Sequence, residues 1–168
     1  ERMTEYAIVS DVIFYISASD VATYDQTMSD GTELSTASGK LCSMSILGTN
    51  PEVIVEKGVA DLKAFDDNLF VHNLDDRYVM ESGETKDRWL EGKLYRYNIQ
   101  TGQMTSMNLD YDWAFFPTAQ GVLVYTSQNI SLFPLTGGDG EMLMAPEAIT
   151  SLTVMGDDAY VYEHTSQL

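Results

Sequence analysis

Only one cysteine, Cys42, occurs in 168 residues, so the chain forms no internal disulfide and cannot by itself assemble a cysteine-based zinc or iron–sulfur site. Histidine is nearly as scarce: there are two, His72 and His164. No Gly-x-Ser-x-Gly elbow, phosphate loop or zinc-type His pair accompanies them. Basic residues number 9 against 26 acidic ones, a net charge of -17. That balance repels phosphate backbones and anionic lipid, so nucleic acid is not an expected partner. No apolar run reaches the roughly 18 residues of a spanning helix, and neither a basic n-region nor an apolar h-region follows Glu1. The expectation is no membrane insertion, with any export signal or anchor absent from this chain. What remains is 44% hydrophobic, enough for one domain with a real core.

The informative positive feature is an internal repeat. Four segments carry a turn followed by a β-branched or aromatic run, at Ile8 to Tyr15, Phe65 to His72, Thr118 to Tyr125 and Met155 to Tyr162. The turns use small or acidic residues that tolerate positive φ, such as Ser10-Asp11, Asp66-Asp67 and Gly156-Asp157, which is hairpin chemistry. This alignment places His72 in the slot of Tyr15, Tyr125 and Tyr162, where a core role is expected of it. A second segment recurs in step as Gly39-Lys40-Leu41-Cys42, Gly92-Lys93-Leu94-Tyr95 and Asn129-Ile130-Ser131-Leu132. It leads to further turns at Gly48-Thr49-Asn50, Thr101-Gly102 and Gly137-Gly138. Alternation along a strand puts Cys42, Tyr95 and Ser131 at equivalent positions, with Cys42 on an apolar face and buried.

Each unit therefore reads as four short strands, a to d. The step of 37 positions from Tyr125 to Tyr162 is close to the about 40 to 45 residues of a four-stranded propeller blade. Earlier copies are longer, and the surplus falls between strands b and c, as insertions at residues 17–38 and 73–91. Equivalent loops of a propeller share one face, so both insertions are expected to project from the same side. Residues 85–90 have the composition for a turn or two of helix. The expected fold is all-β: one β-propeller-like domain over 1–168, with four-stranded antiparallel blades at about 6–57, 58–109 and 110–146 and a partial blade at 147–164. Three and a half blades do not close, so missing blades or self-association is expected to cap the open edges.

The turn, the Ile/Leu-aromatic strand and the Gly92-Lys93-Leu94-Tyr95-Arg96 segment with its Thr101-Gly102 turn resemble a bacterial family of extracellular propeller repeats of unknown function. That family is similar in turn to the six-bladed propellers of lipoprotein receptors. The third copy departs from the pattern, with Asn129 for the Gly-Lys start and Pro134 inside strand c. The resemblance implies export to the bacterial surface and a binding role, and supplies no catalytic residues.

Among candidate sites, Asp25, Asp30 and Glu33 around Asp30-Gly31 suggest calcium, because hard cations seek clustered oxygens. The glycine falls six positions after Asp25, one too many for the usual loop. Arg77, Tyr78, Arg88 and Trp89 concentrate in the second insertion, and these are the residue types that dominate binding hot spots. They are the expected ligand-binding residues; the alternative is that Trp89 only covers the edge of its own blade. The reading is a noncatalytic extracellular or cell-surface module that binds a protein or a glycan, with no cofactor. Two alternatives stand beside it: part of a propeller-type glycan hydrolase or lyase with converging carboxylates, or an architectural spacer.

Overall fold

In the computed structural model the described residues form β-strands and no helix. The backbone is described for residues 3–27, 33–73, 79–82, 87–90, 92–111, 114–125, 129–144, 149–155 and 158–163. Side chains are described for 3–17, 38–56, 58–73, 93–107, 109, 114–125, 129–144, 152–154 and 158–160. The chain divides into two compact units, Glu1–Asp110 and Tyr111–Leu168.

The first unit holds β1 (Met3–Val9), β2 (Val12–Thr27), β3 (Glu33–Ser45), β4 (Glu52–Phe65), β5 (Asn68–Asn73), β6 (Val79–Ser82), β7 (Asp87–Leu90), β8 (Gly92–Asn98) and β9 (Gln103–Tyr111). Its main sheet runs β1-β2-β3-β4-β5-β8-β9, and β6 pairs with β7 apart from it. The second unit holds β10 (Ala114–Thr118), β11 (Gly121–Tyr125), β12 (Ile130–Phe133) and β13 (Glu141–Met144) in one sheet. A separate pair is formed by β14 (Ile149–Met155) and β15 (Asp158–Glu163).

Four hairpins with two-residue loops set the register: Val9 opposes Val12, Phe65 opposes Asn68, Thr118 opposes Gly121 and Met155 opposes Asp158. Ser10 (φ 54°) and Asp66 (φ 49°) take the left-handed conformation these tight loops require. Counted from the loops, Tyr15, Val71, Val124 and Val161 are equivalent. Their partners on the next strand, Cys42, Tyr95 and Ser131, are equivalent as the sequence predicts, and Cys42 is buried. The b-strand alignment needs correction by one residue: His72 falls in the slot of Ile16, since Ile16 opposes Leu41 and His72 opposes Leu94. Conspicuous tyrosines drew that alignment away from the loop that sets the register.

Three further expectations change. Residues 87–90 are strand, not helix, paired with β6. The first insertion is no loose loop: β2 and β3 continue as a ladder from Ala22–Ser38 to Thr27–Glu33. Strand d of the first repeat and strand a of the second are one continuous β4, pairing first with β3 and then with β5. Gly58 sits at the changeover with φ of 83°, a conformation open to glycine at little cost.

Each repeat has two faces. In the first, the forward face carries Phe14, Ile16 and Leu41, and the rear face carries Tyr6, Ile8, Tyr15 and Cys42, as strand alternation requires. The forward face packs into one cluster with Leu62, Leu69 and Val71, flanked by Tyr95 and Tyr97; these belong to the rear face of the second repeat. In the second unit, Leu123 and Ile130 of the third repeat's forward face cluster with Leu152 and Val154, on the rear face of β14. The same forward-on-rear packing thus occurs twice. Burying each such side chain stabilises by about 1.5–3 kcal/mol.

Candidate functional site at the seam of the first two repeats

Where the forward face of β1 meets β4, apolar packing gives way to polar groups. The Leu62 amide donates to Glu5 Oε2 at 2.7 Å across 57 residues of sequence. Burial pushes the half-buried Glu5 carboxyl above its ordinary value, and the negative charge of Asp61 adds to this. The Leu62 N–H and the charge of Lys63 oppose the rise. Burial pushes Lys63 below the ordinary lysine value, against the opposing pull of Asp61 and Glu5. His72, buried on β5, orients its ring by donating from Nδ1 to Asp61 Oδ2 at 3.2 Å. Glu5 and Asp61 occupy the same position in successive repeats, each five residues before the first residue of the hairpin loop.

Beside Glu5 lies a cavity of about 130 Å³, bounded by Thr4 and Glu5 of β1, Ile16 and Ser17 of β2, Ser38 of β3 and Ala60 of β4. The β2–β3 register slips beside it, between Ser17 and Ala22. At that slip the chains touch at Gly39, where a β-carbon would lie 2.1 Å from the Ser17 carbonyl oxygen. Among the described residues, Ser38 Oγ is buried there without a hydrogen-bond partner. The cavity thus offers a carboxyl, an unsatisfied hydroxyl and the hydroxyls of Thr4 and Ser17. Its size suits a few ordered waters, which need polar partners of this kind, or one small polar group.

The residues expected from sequence lie elsewhere. Arg88 and Trp89 are on β7, opposite Glu81 and Met80; their side chains lie outside the described residues, as do Arg77 and Tyr78 altogether. Asp25 and Glu33 are in the paired strands, opposite Ser35 and Thr27, and Asp30 lies outside the described residues. The calcium-loop reading therefore meets a regular ladder at two of its three positions. Among the described residues no three His, Cys, Asp or Glu converge as a metal site. Sequence reasoning missed Glu5, Asp61 and the cavity. Aligning the repeats by their loops, which superimposes the two acids, was the signal available.

No family model, curated protein or solved structure matches this chain.

Proposed function

We propose that this chain is a noncatalytic interaction module of propeller-type blades, carried on a bacterial surface or secreted protein, that binds a protein or glycan through its two b–c insertions. The observation that carries this reading is the common point of departure of the two insertions. Both insertions leave at the same end of strand b, past Ser17 of β2 and past Asn73 of β5. The first prolongs its hairpin, and Cα atoms of β7, in the second, come within 8 Å of β2. Two excursions that leave the repeat at the same end would make a composite surface, and surface excursions without a core duty commonly carry function. The forward-on-rear packing supports the blade reading, because stacked repeats that cover each other in one sense are how solenoids and propellers build a core.

The test is Trp89→Ala and Arg88→Ala against panels of glycans and surface proteins. Loss of binding by about thirtyfold, the effect of removing an anchor worth about 2 kcal/mol, with unchanged melting temperature supports the reading. Lost stability with binding intact makes Trp89 a cover for its blade and ends it. The rival enzymatic reading rests on the acidic pair at the seam: turnover of a polysaccharide that Glu5→Gln abolishes would replace the binding module with a glycan-cleaving one.

A further inference from the structure

The cavity beside Glu5 lies where three departures from regular pairing meet. The β1–β2 register shifts between Met3 and Tyr6, which sets both Thr4 and Glu5 against Ile16. The β2–β3 register slips after Ser17, and the β4–β5 register shifts between Val59 and Asp61, at Ala60. Such irregularities re-aim side chains and gather next to active sites; here they bound one space of about 130 Å³. Its polar side chains are the Glu5 carboxyl and the hydroxyls of Thr4, Ser17 and Ser38. Ile16, Gly39 and Ala60 supply the rest, and none of the residues that bound it is basic. Thr4 Oγ1 donates to the Ile16 carbonyl at 3.4 Å, which leaves its lone pairs to accept. Glu5 Oε2 holds the Leu62 amide, and a carboxylate has further lone pairs. Ser38 is 3% exposed and, among the described residues, its Oγ has no partner, a state that costs stability until a group satisfies it.

We propose that this cavity binds a primary alkylammonium group, with its N–H donors on Glu5 and Ser38 and its first carbons against Ile16 and Ala60. An ammonium carries three donors and no acceptor, the complement of a set of oxygens centred on one carboxylate. Ile16 and Ala60 suit an alkyl stem, whereas a calcium ion takes six or more oxygens. An apolar cavity of about 150 Å³ holds benzene, so propylammonium enters this one whole. The net charge of -17 concentrates cations at the surface. Burial raises the Glu5 carboxyl, Asp61 adds to the rise, and the Leu62 N–H and Lys63 oppose it; Asp61 is itself held by His72 Nδ1. The cation needs the ionised acid, so binding tightens as pH rises through that raised value. The site is built within the first unit and uses neither insertion, so it goes beyond the interaction-module reading and neither stands nor falls with it. Free alkylamines and lysine side chains end in the same group, and the test separates the two sources.

Amide chemical shifts of the intact chain, followed by NMR near neutral pH as propylammonium chloride is added, test the site. The shifts centre on Glu5, Ile16, Ser38 and Ala60, with a Kd on the order of 1 mM, the range open to so small a ligand. Glu5→Gln keeps an acceptor for the Leu62 amide and loses at least about tenfold in affinity, as the loss of a charged hydrogen-bond partner does. Ser38→Ala loses about three- to tenfold while its ligand-free melting temperature holds or rises, a combination that a merely structural hydroxyl does not give. Nα-acetyl-lysine amide that binds as propylammonium does makes the source a lysine side chain; propylammonium binding alone makes it a free amine, and either supports the site. An equal response to uncharged n-propanol, or to sodium or calcium chloride at matched ionic strength, would overturn the proposal. So would unchanged affinity in folded Glu5→Gln, or the absence of shifts at the cavity.

Discussion

Glu5 and Leu62 tie the first strand of one repeat to the first strand of the next, the Leu62 amide donating to the Glu5 carboxylate at 2.7 Å. Replacing the acid by alanine strands a part-buried amide, and the expected loss is about 1–2 kcal/mol. Glutamine keeps an acceptor and removes the titration. Because burial raises the folded pKa of Glu5 above its ordinary 4.5, its contribution is full below that value and is lost as pH rises through the raised one. The neighbouring charges, Asp61 and Lys63, act in opposite directions on it. Denaturant unfolding of both chains from pH 4 to 7 should show the unaltered protein losing ground to Glu5→Gln as pH rises. A constant difference across that range would mean that Glu5 titrates at its ordinary value.

Gly39→Ala should cost more than any exposed substitution in the sheet. The new methyl meets the Ser17 carbonyl oxygen at 2.1 Å and the Ile16 side chain at 2.9 Å, and backbone cannot rotate away as a side chain does. The expected loss is about 1–3 kcal/mol, the usual cost of overpacking, read as a lower midpoint in urea. A neutral outcome would show that β2 and β3 do not approach at the slip beside Ser38.

The strands and their loops were legible because hairpin chemistry is local: Ser10-Asp11 and Asp66-Asp67 announce turns wherever the chain goes next. Cys42, Tyr95 and Ser131 could be matched because alternation carries register outward from such turns. What escaped was whatever depends on neighbours far along the chain. Tyr15 was placed one residue off, since a bulky aromatic is easier to see than the loop that sets its face. The ladder from Ala22 to Thr27 was hidden because the Ser, Thr and Asp residues there also suit a loop. Glu5 gave no signal alone, its role arising only when Leu62, 57 residues away, is folded against it.

Charge should act on the chain as a whole. With -17 on 168 residues, repulsion opposes the compact state and salt relieves it. The melting temperature should climb when sodium chloride is added to a dilute buffer, at protein concentrations low enough to keep the chain monomeric. A flat or falling response would mean that the charges are already compensated.

The central claim is that within each unit one repeat covers the rear face of the next with its own forward face, and site-resolved thiol labelling of dilute protein measures it directly. Four single variants, Tyr6→Cys, Leu62→Cys, Phe14→Cys and Tyr160→Cys, are each pulsed with an alkylating reagent and read by mass spectrometry. The buried Cys42 serves as the internal slow reference. The account predicts rapid labelling at positions 6 and 160. At 62 and 14 it predicts labelling as slow as Cys42, rising to the fast rate only in denaturant. Labelling at position 62 as fast as at position 6 would contradict it, because the second repeat's rear face would then lie open to solvent.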